Sequence, residues 1–140
     1  MDFLDPELRR HYAETLIEVF LPEECFSVCA NAEPGTVCLP TRLEPYFWVI
    51  TPCNPRSVPL SPAENKVRYN SFWKEAQAPN GVRCFEAVGR GADGKWSEKS
   101  VAFVGLAEDA AVALAMRHEQ NAIYRVSANG VALVGVLKKV

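Results

Sequence analysis

No stretch of this chain carries the roughly 18–20 consecutive apolar residues that a bilayer-spanning helix needs. Its first residues, which include Asp2, Asp5 and Glu7, lack the basic-then-apolar order of a secretory signal. Both absences point to a cytoplasmic protein without a membrane partner. There is no basic excess either: 15 Lys and Arg stand against 17 Asp and Glu, for a net charge of −2. That balance argues against a nucleic-acid clamp, which needs a basic face. Histidine is scarce, with only His11 and His118. The five cysteines (25, 29, 38, 53 and 84) are an odd number, which fits a disulfide framework poorly. Cys25 and Cys29 are separated by three residues, where a zinc knuckle uses two, and no Cys or His pair follows at ligand spacing. The sequence therefore calls for no metal and no cofactor, and its thiols read as small hydrophobes. Internal repeats, low-complexity tracts and linkers are also missing.

What is present suits one domain over residues 1–140, long enough to bury a core, with 49% hydrophobic and 23% charged residues. Asp5, Pro6 and Glu7 have the order of a helix start, and Leu8, Tyr12, Leu16, Val19 and Phe20 then recur at helical spacing up to Pro22. Residues 22–45 read as an irregular extension with short strands near 26–30 and 36–39. The apolar run at 46–51 predicts a central strand. Ser61, Pro62 and Glu64 form a capping box that opens a helix reaching about residue 77, before the turn at 79–81. Strands at 82–88 and 96–104 make a hairpin, a helix spans 108–119, and a strand spans 122–126. Asn129 and Gly130 turn the chain into a last strand over 131–137. From residue 46 this order is β-α-β-β-α-β plus one strand. It predicts an α+β, ferredoxin-like core over 46–140: an antiparallel sheet with two helices on one face. The N-terminal helix and a C-terminal hairpin strand would flank it.

Four boxes stand out: ITPCNP at 50–55, SPAEN at 61–65 with Asn70, WSE at 96–98 and QNAI at 120–123. In this order they resemble an uncharacterised bacterial family, domain of unknown function three-two-nine-three, over roughly residues 46–126. The resemblance implies that the boxes belong to one unit, and it carries no activity.

The candidate site residues come from these boxes and their neighbours. Asn54 either forms a local turn with its own backbone or offers a donor and an acceptor to a planar polar ligand. Asn65 shares a helix face with Tyr69, Phe72 and Trp73. It either ties the 52–60 loop to the helix or meets a ligand. Arg68 and Asn70 read as solvated. Arg90 lies in a Gly-Arg-Gly turn without phosphate-loop spacing, and could pair with Glu98 or hold an anion. Trp96 and Glu98 share a strand face, and Glu98 is the best general-base candidate. His118 suits a helix C-terminus, His11 lies on the exposed-to-boundary part of the first helix, and Cys53, next to Asn54, is the one thiol inside a candidate site. Asn121 suits a left-handed helix cap, leaving Gln120 to face the same space as Asn54.

These residues (Asn54, Asn65, Arg90, Trp96, Glu98, Gln120 and Asn121) predict an amide-rich pocket for a small polar ligand or a polar segment of a partner. One alternative is a small hydrolase acting on a nucleotide-like or amide substrate, with Glu98 as base and His118 or Cys53 assisting. Another is a protein-interaction or accessory module working through an edge strand. The final apolar strand would then be covered by the first helix or shared in a homodimer.

Overall fold

The computed structural model describes residues 6–77 and 81–138. Its first helix is shorter than the apolar spacing suggests. Helix α1 covers Pro6–Ala13, and the chain then extends as strand β1, Leu16–Phe20. Ile17 and Val19 are fully buried, whereas Leu16 and Phe20 are 37% and 42% exposed. Alternation therefore governs this segment. Two β-branched residues packed at every second position favour a strand over a helical turn. The proposed Asp5 cap lies outside the described residues, as does most of the turn at 79–81.

β1 pairs antiparallel with β2, Cys25–Cys29, and with β4, Arg83–Arg90. β4 and β5, Ser97–Val104, form the expected hairpin, and β5 pairs with β3, Tyr46–Ile50. β3 in turn pairs with β6, Ala122–Ser127, and β6 with β7, Gly130–Gly135. The sheet order is β2-β1-β4-β5-β3-β6-β7. This corrects the expectation of a ferredoxin-like fold. The described residues form seven antiparallel strands in a curled half-barrel with three α-helices, where a ferredoxin-like βαββαβ sheet with one added C-terminal strand was expected. The difference arises because residues 16–29, read as the end of the first helix and an irregular extension, supply a strand pair at one edge, while β7 at the other edge is the expected hairpin partner of β6. Residues 36–39 form no strand.

Two cores result, one on each face. Helix α2, Pro62–Ala76, opens with the expected capping box: Glu64 N–H donates to Ser61 Oγ at 3.1 Å, and Ser61 N–H donates to Glu64 Oε1 at 3.2 Å. Its Tyr69, Phe72 and Ala76 cluster with Ala111, Leu114 and Ala115 of α3, Glu108–Arg117, over Trp48, Ile50, Val101, Phe103 and Ile123. The opposite face carries Ile17, Val19, Phe47, Val49, Ala87, Ala102, Tyr124 and Val126, with Tyr12 of α1 packed against them. β7 serves both cores, Val131 and Leu133 on one side and Val134 on the other. Among the described residues no helix is long and apolar enough to cross a membrane.

Candidate functional site

The face beneath α1 is not filled to its end. Strand alternation brings Val49 of β3, Glu98 and Ser100 of β5, and Ala122 and Tyr124 of β6 to one side. They surround a cavity of about 560 Å³. Gly89 is the residue opposite Glu98 in the β4–β5 register, so this position adds no side chain beside the carboxyl, and Thr15 is the nearest neighbour a Cβ there would meet, at 3.5 Å. Glu7, Leu8, His11 and Tyr12 of α1 form one wall, and Arg56, Ser57, Pro59 and Trp96 complete the mouth.

α1 is attached through its C-terminal half. Tyr124 donates its hydroxyl hydrogen to the Tyr12 carbonyl at 2.7 Å, and Thr15 donates to the His11 carbonyl at 2.7 Å. Across the mouth, Ser57 acts on the Tyr12 hydroxyl, lowering its pKa against the larger effect of burial. Burial raises the Tyr12 and Tyr124 hydroxyls above their usual range, so both remain protonated at neutral pH.

The 52–60 loop meets the sheet through Asn54, whose backbone is left-handed (φ 47°, ψ 63°), a conformation asparagine tolerates better than most residues. Asn54 Oδ1 accepts from Leu60 N–H at 3.0 Å and from Asn65 Nδ2 at 2.8 Å. Asn65 Oδ1 accepts from Asn54 N–H at 3.0 Å. This fixes the amide orientation, and Asn54 Nδ2 donates to Glu98 Oε2 at 2.7 Å. Burial pushes the Glu98 carboxyl up to about 7, with the Asn54 hydrogen bond acting in the opposite direction. Among the described residues Glu98 has no salt-bridge partner.

Four of the residues singled out from the sequence line the cavity: Asn54, Trp96, Glu98 and Gln120. Asn65 stands behind Asn54 as a brace. Asn121 also braces the wall, donating from Nδ2 to Ser57 Oγ at 2.9 Å. It is not the left-handed cap, since Glu119 takes the positive φ of 56°. Arg90 is directed away from the cavity. It is opposite Ser97, and its guanidinium pairs with Glu18 on the other side of the sheet. Arg68 is not simply solvated, because it donates to the carbonyls of Pro52 at 2.7 Å and His118 at 3.1 Å.

The two assisting groups lie elsewhere. His118 Nε2 is 2.8 Å from Glu75 Oε2, and its ring meets Phe72 edge-on at 4.7 Å. Buried Cys53 directs its thiol to the Lys99 carbonyl at 3.6 Å. Burial raises its pKa, the reverse of what an activated nucleophile requires. Among the described residues no cluster of His, Cys, Asp and Glu is arranged to hold a metal.

His11, Tyr12, Thr15, Thr51, Ser100 and Tyr124 were not identified as site residues from the sequence, yet they line the same space. Only the alternation of Thr15, Ile17 and Val19 hinted that the segment around Thr15 faces the sheet.

The family described as "Protein of unknown function (DUF3293)" matches residues 50–123, just over half of the chain, and the protein belongs to it. The matched region contains all four sequence boxes and most of the cavity floor, but excludes α1. Comparison with curated proteins and with solved structures finds no match.

Proposed function

We propose that this domain binds a small polar molecule in the cavity under α1, with Glu98 as its anchor. The observation that carries the reading is the placement of a half-buried carboxyl beside an open volume. One carboxyl oxygen is held by Asn54, and Gly89 adds no side chain beside it. A volume of about 560 Å³ falls within the range of small-molecule sites, and an apolar wall with a few convergent polar groups is their usual composition. Trp96, 38% exposed at the mouth, adds a flat surface on which a ligand can stack.

A thermal-shift screen against nucleosides, amino acids, amines and sugars tests this reading. A ligand at a hundredfold excess over its Kd adds about 2.7 kcal/mol of stability. The expected result is a reproducible rise in Tm that disappears in Gly89→Val, where the added side chain enters the cavity. A flat screen counts against the proposal.

A second reading, acid–base catalysis by Glu98, draws on its value of about 7, which lets it exchange a proton near neutral pH. With His118 and Cys53 directed elsewhere, Glu98 would act without the assistance expected from sequence. Folded Glu98→Gln protein with undiminished turnover of a substrate found in the screen would dismiss this reading.

A further inference from the structure

The hydrogen-bonding groups around Glu98 on the cavity floor share one polarity, whereas Tyr12, Ser57 and Trp96 bring hydroxyl and N–H groups to its wall and mouth. Thr15 donates its only hydroxyl hydrogen to the His11 carbonyl, Thr51 to the Lys99 carbonyl, Ser100 to the Glu98 carbonyl and Tyr124 to the Tyr12 carbonyl. A carbonyl can only accept, so each hydroxyl is committed as a donor and keeps acceptor lone pairs for anything else. Gln120 uses Nε2 toward the Cys53 and His118 carbonyls, leaving Oε1 as its remaining polar atom. Asn54 Oδ1 already takes two donors, and Nδ2 is directed at Glu98 Oε2. The described residues thus give Glu98 a donor on one oxygen and no cation on the other. Among the described residues its Oε1 has no hydrogen-bond partner. Among the described residues the ionisable side chains that line the rest of the cavity include Glu7, His11, Arg56 and Lys138, and Arg56 is paired with Glu119 at 3.8 Å.

Building on the proposed ligand site, we infer that its occupant carries a protonated nitrogen with several N–H donors, a primary ammonium, amidinium or guanidinium, seated on Glu98 Oε1. The neighbouring oxygens of Thr15, Ser100 and Gln120 take its remaining hydrogens. An anionic head would meet a carboxylate and a set of acceptors. A neutral alcohol brings one donor where several acceptors wait. A cationic nitrogen alone matches both the charge and the donor count. Trp96 at the mouth suits the same class through the attraction of its ring for a cation.

The test uses four probes on one ring: benzamidine, benzylamine, benzyl alcohol and benzoate. Each is titrated into ¹⁵N-labelled protein at about pH 8, above the Glu98 value of about 7. The expected result is that benzamidine and benzylamine shift the amides of Thr15, Ser100 and Gln120 while the other two do not. Glu98→Gln should weaken the cationic probes roughly ten- to hundredfold. Ser100→Ala, which removes an acceptor and leaves the Glu98 carboxyl in place, should weaken them less. Binding of benzyl alcohol or benzoate at the same amides, as tight as that of the cations, overturns the cationic class and leaves the ligand-site reading standing. Cationic binding unchanged in Glu98→Gln overturns the assignment of Glu98. Failure of all four probes overturns the inference, and the wider metabolite screen then decides separately whether the cavity binds anything.

Discussion

Asn54 and Asn65 brace each other: Asn54 N–H donates to Asn65 Oδ1 at 3.0 Å, and Asn65 Nδ2 donates to Asn54 Oδ1 at 2.8 Å. One asparagine sits in a loop and the other on the first turns of α2, so the pair ties the loop to the helix. It also determines which end of the Asn54 amide faces Glu98. Asn65→Ala removes both bonds and strands the Asn54 N–H. We expect a loss of about 1–3 kcal/mol, seen as a fall of several degrees in Tm. Asn54 Oδ1 then keeps only the Leu60 N–H, so the amide facing Glu98 is held less firmly and ligand binding should weaken as well. An unchanged Tm would show that the brace contributes nothing to stability.

Glu98 sets a pH dependence of stability with a definite sign. Its folded value of about 7 lies above the ordinary 4.5, so between these limits the native state binds more protons than the unfolded chain. Stability therefore falls as pH rises from about 4.5 to about 7, by on the order of 2–3 kcal/mol, and is level beyond. Glu75 acts in the opposite sense. Burial raises it, but the hydrogen bond and charge of His118, with Arg117, overcome this and hold it below the ordinary value, so its contribution is lost in acid. Chemical denaturation of wild type and Glu98→Gln across this range separates the two groups. The difference between the proteins should follow Glu98 alone, with the variant the more stable at about pH 8.

His118 is a structural residue in this fold. It closes α3 as its C-cap residue, reaches Glu75 of α2 and covers the edge of Phe72. His118→Ala should lower stability by about 1–2 kcal/mol through the lost contacts between the two helices. Affinity for any cavity ligand should stay within about twofold of wild type, because among the described residues the His118 side chain meets Glu75 and Phe72, which do not line the cavity. A fold-intact variant that loses binding or turnover would return His118 to the site.

Element types from residue 46 onward were legible because their signals are local: a capping box at 61–64, an Asn-Gly turn at 129–130, and an apolar run at 46–50 with no polar alternation. The sheet was not legible at its N-terminal edge. Leu16, Val19 and Phe20 satisfy a helical spacing while Ile17 and Val19 satisfy a strand, and only tertiary packing chooses between them. The site was half legible for a related reason. Asn54, Glu98 and Gln120 fall within the boxes, but the roof comes from α1, and Glu7, His11 and Tyr12 lie far from those boxes in sequence. Arg90 illustrates a different limit. Once Glu98 is set opposite Gly89, alternation sends Arg90 to the other face. That register depends on how the 91–96 turn closes, which composition does not dictate.

The thiols offer a last check on the chemistry of the site. Cys25 and Cys38 are exposed, whereas Cys53 is buried and Cys84 donates to the Ala76 carbonyl at 3.1 Å. Burial raises the pKa of both Cys53 and Cys84, which lowers the thiolate fraction that reacts with electrophiles. Iodoacetamide followed by peptide mapping should therefore label Cys25 and Cys38 first, and Cys53 only when denaturant opens the fold. Thr51→Val should not activate Cys53. Thr51 Oγ1 accepts the Cys53 backbone N–H at 3.0 Å and supports the loop, and its loss supplies no base. Rapid, selective alkylation of native Cys53 would contradict its placement here and restore a cysteine nucleophile beside Asn54.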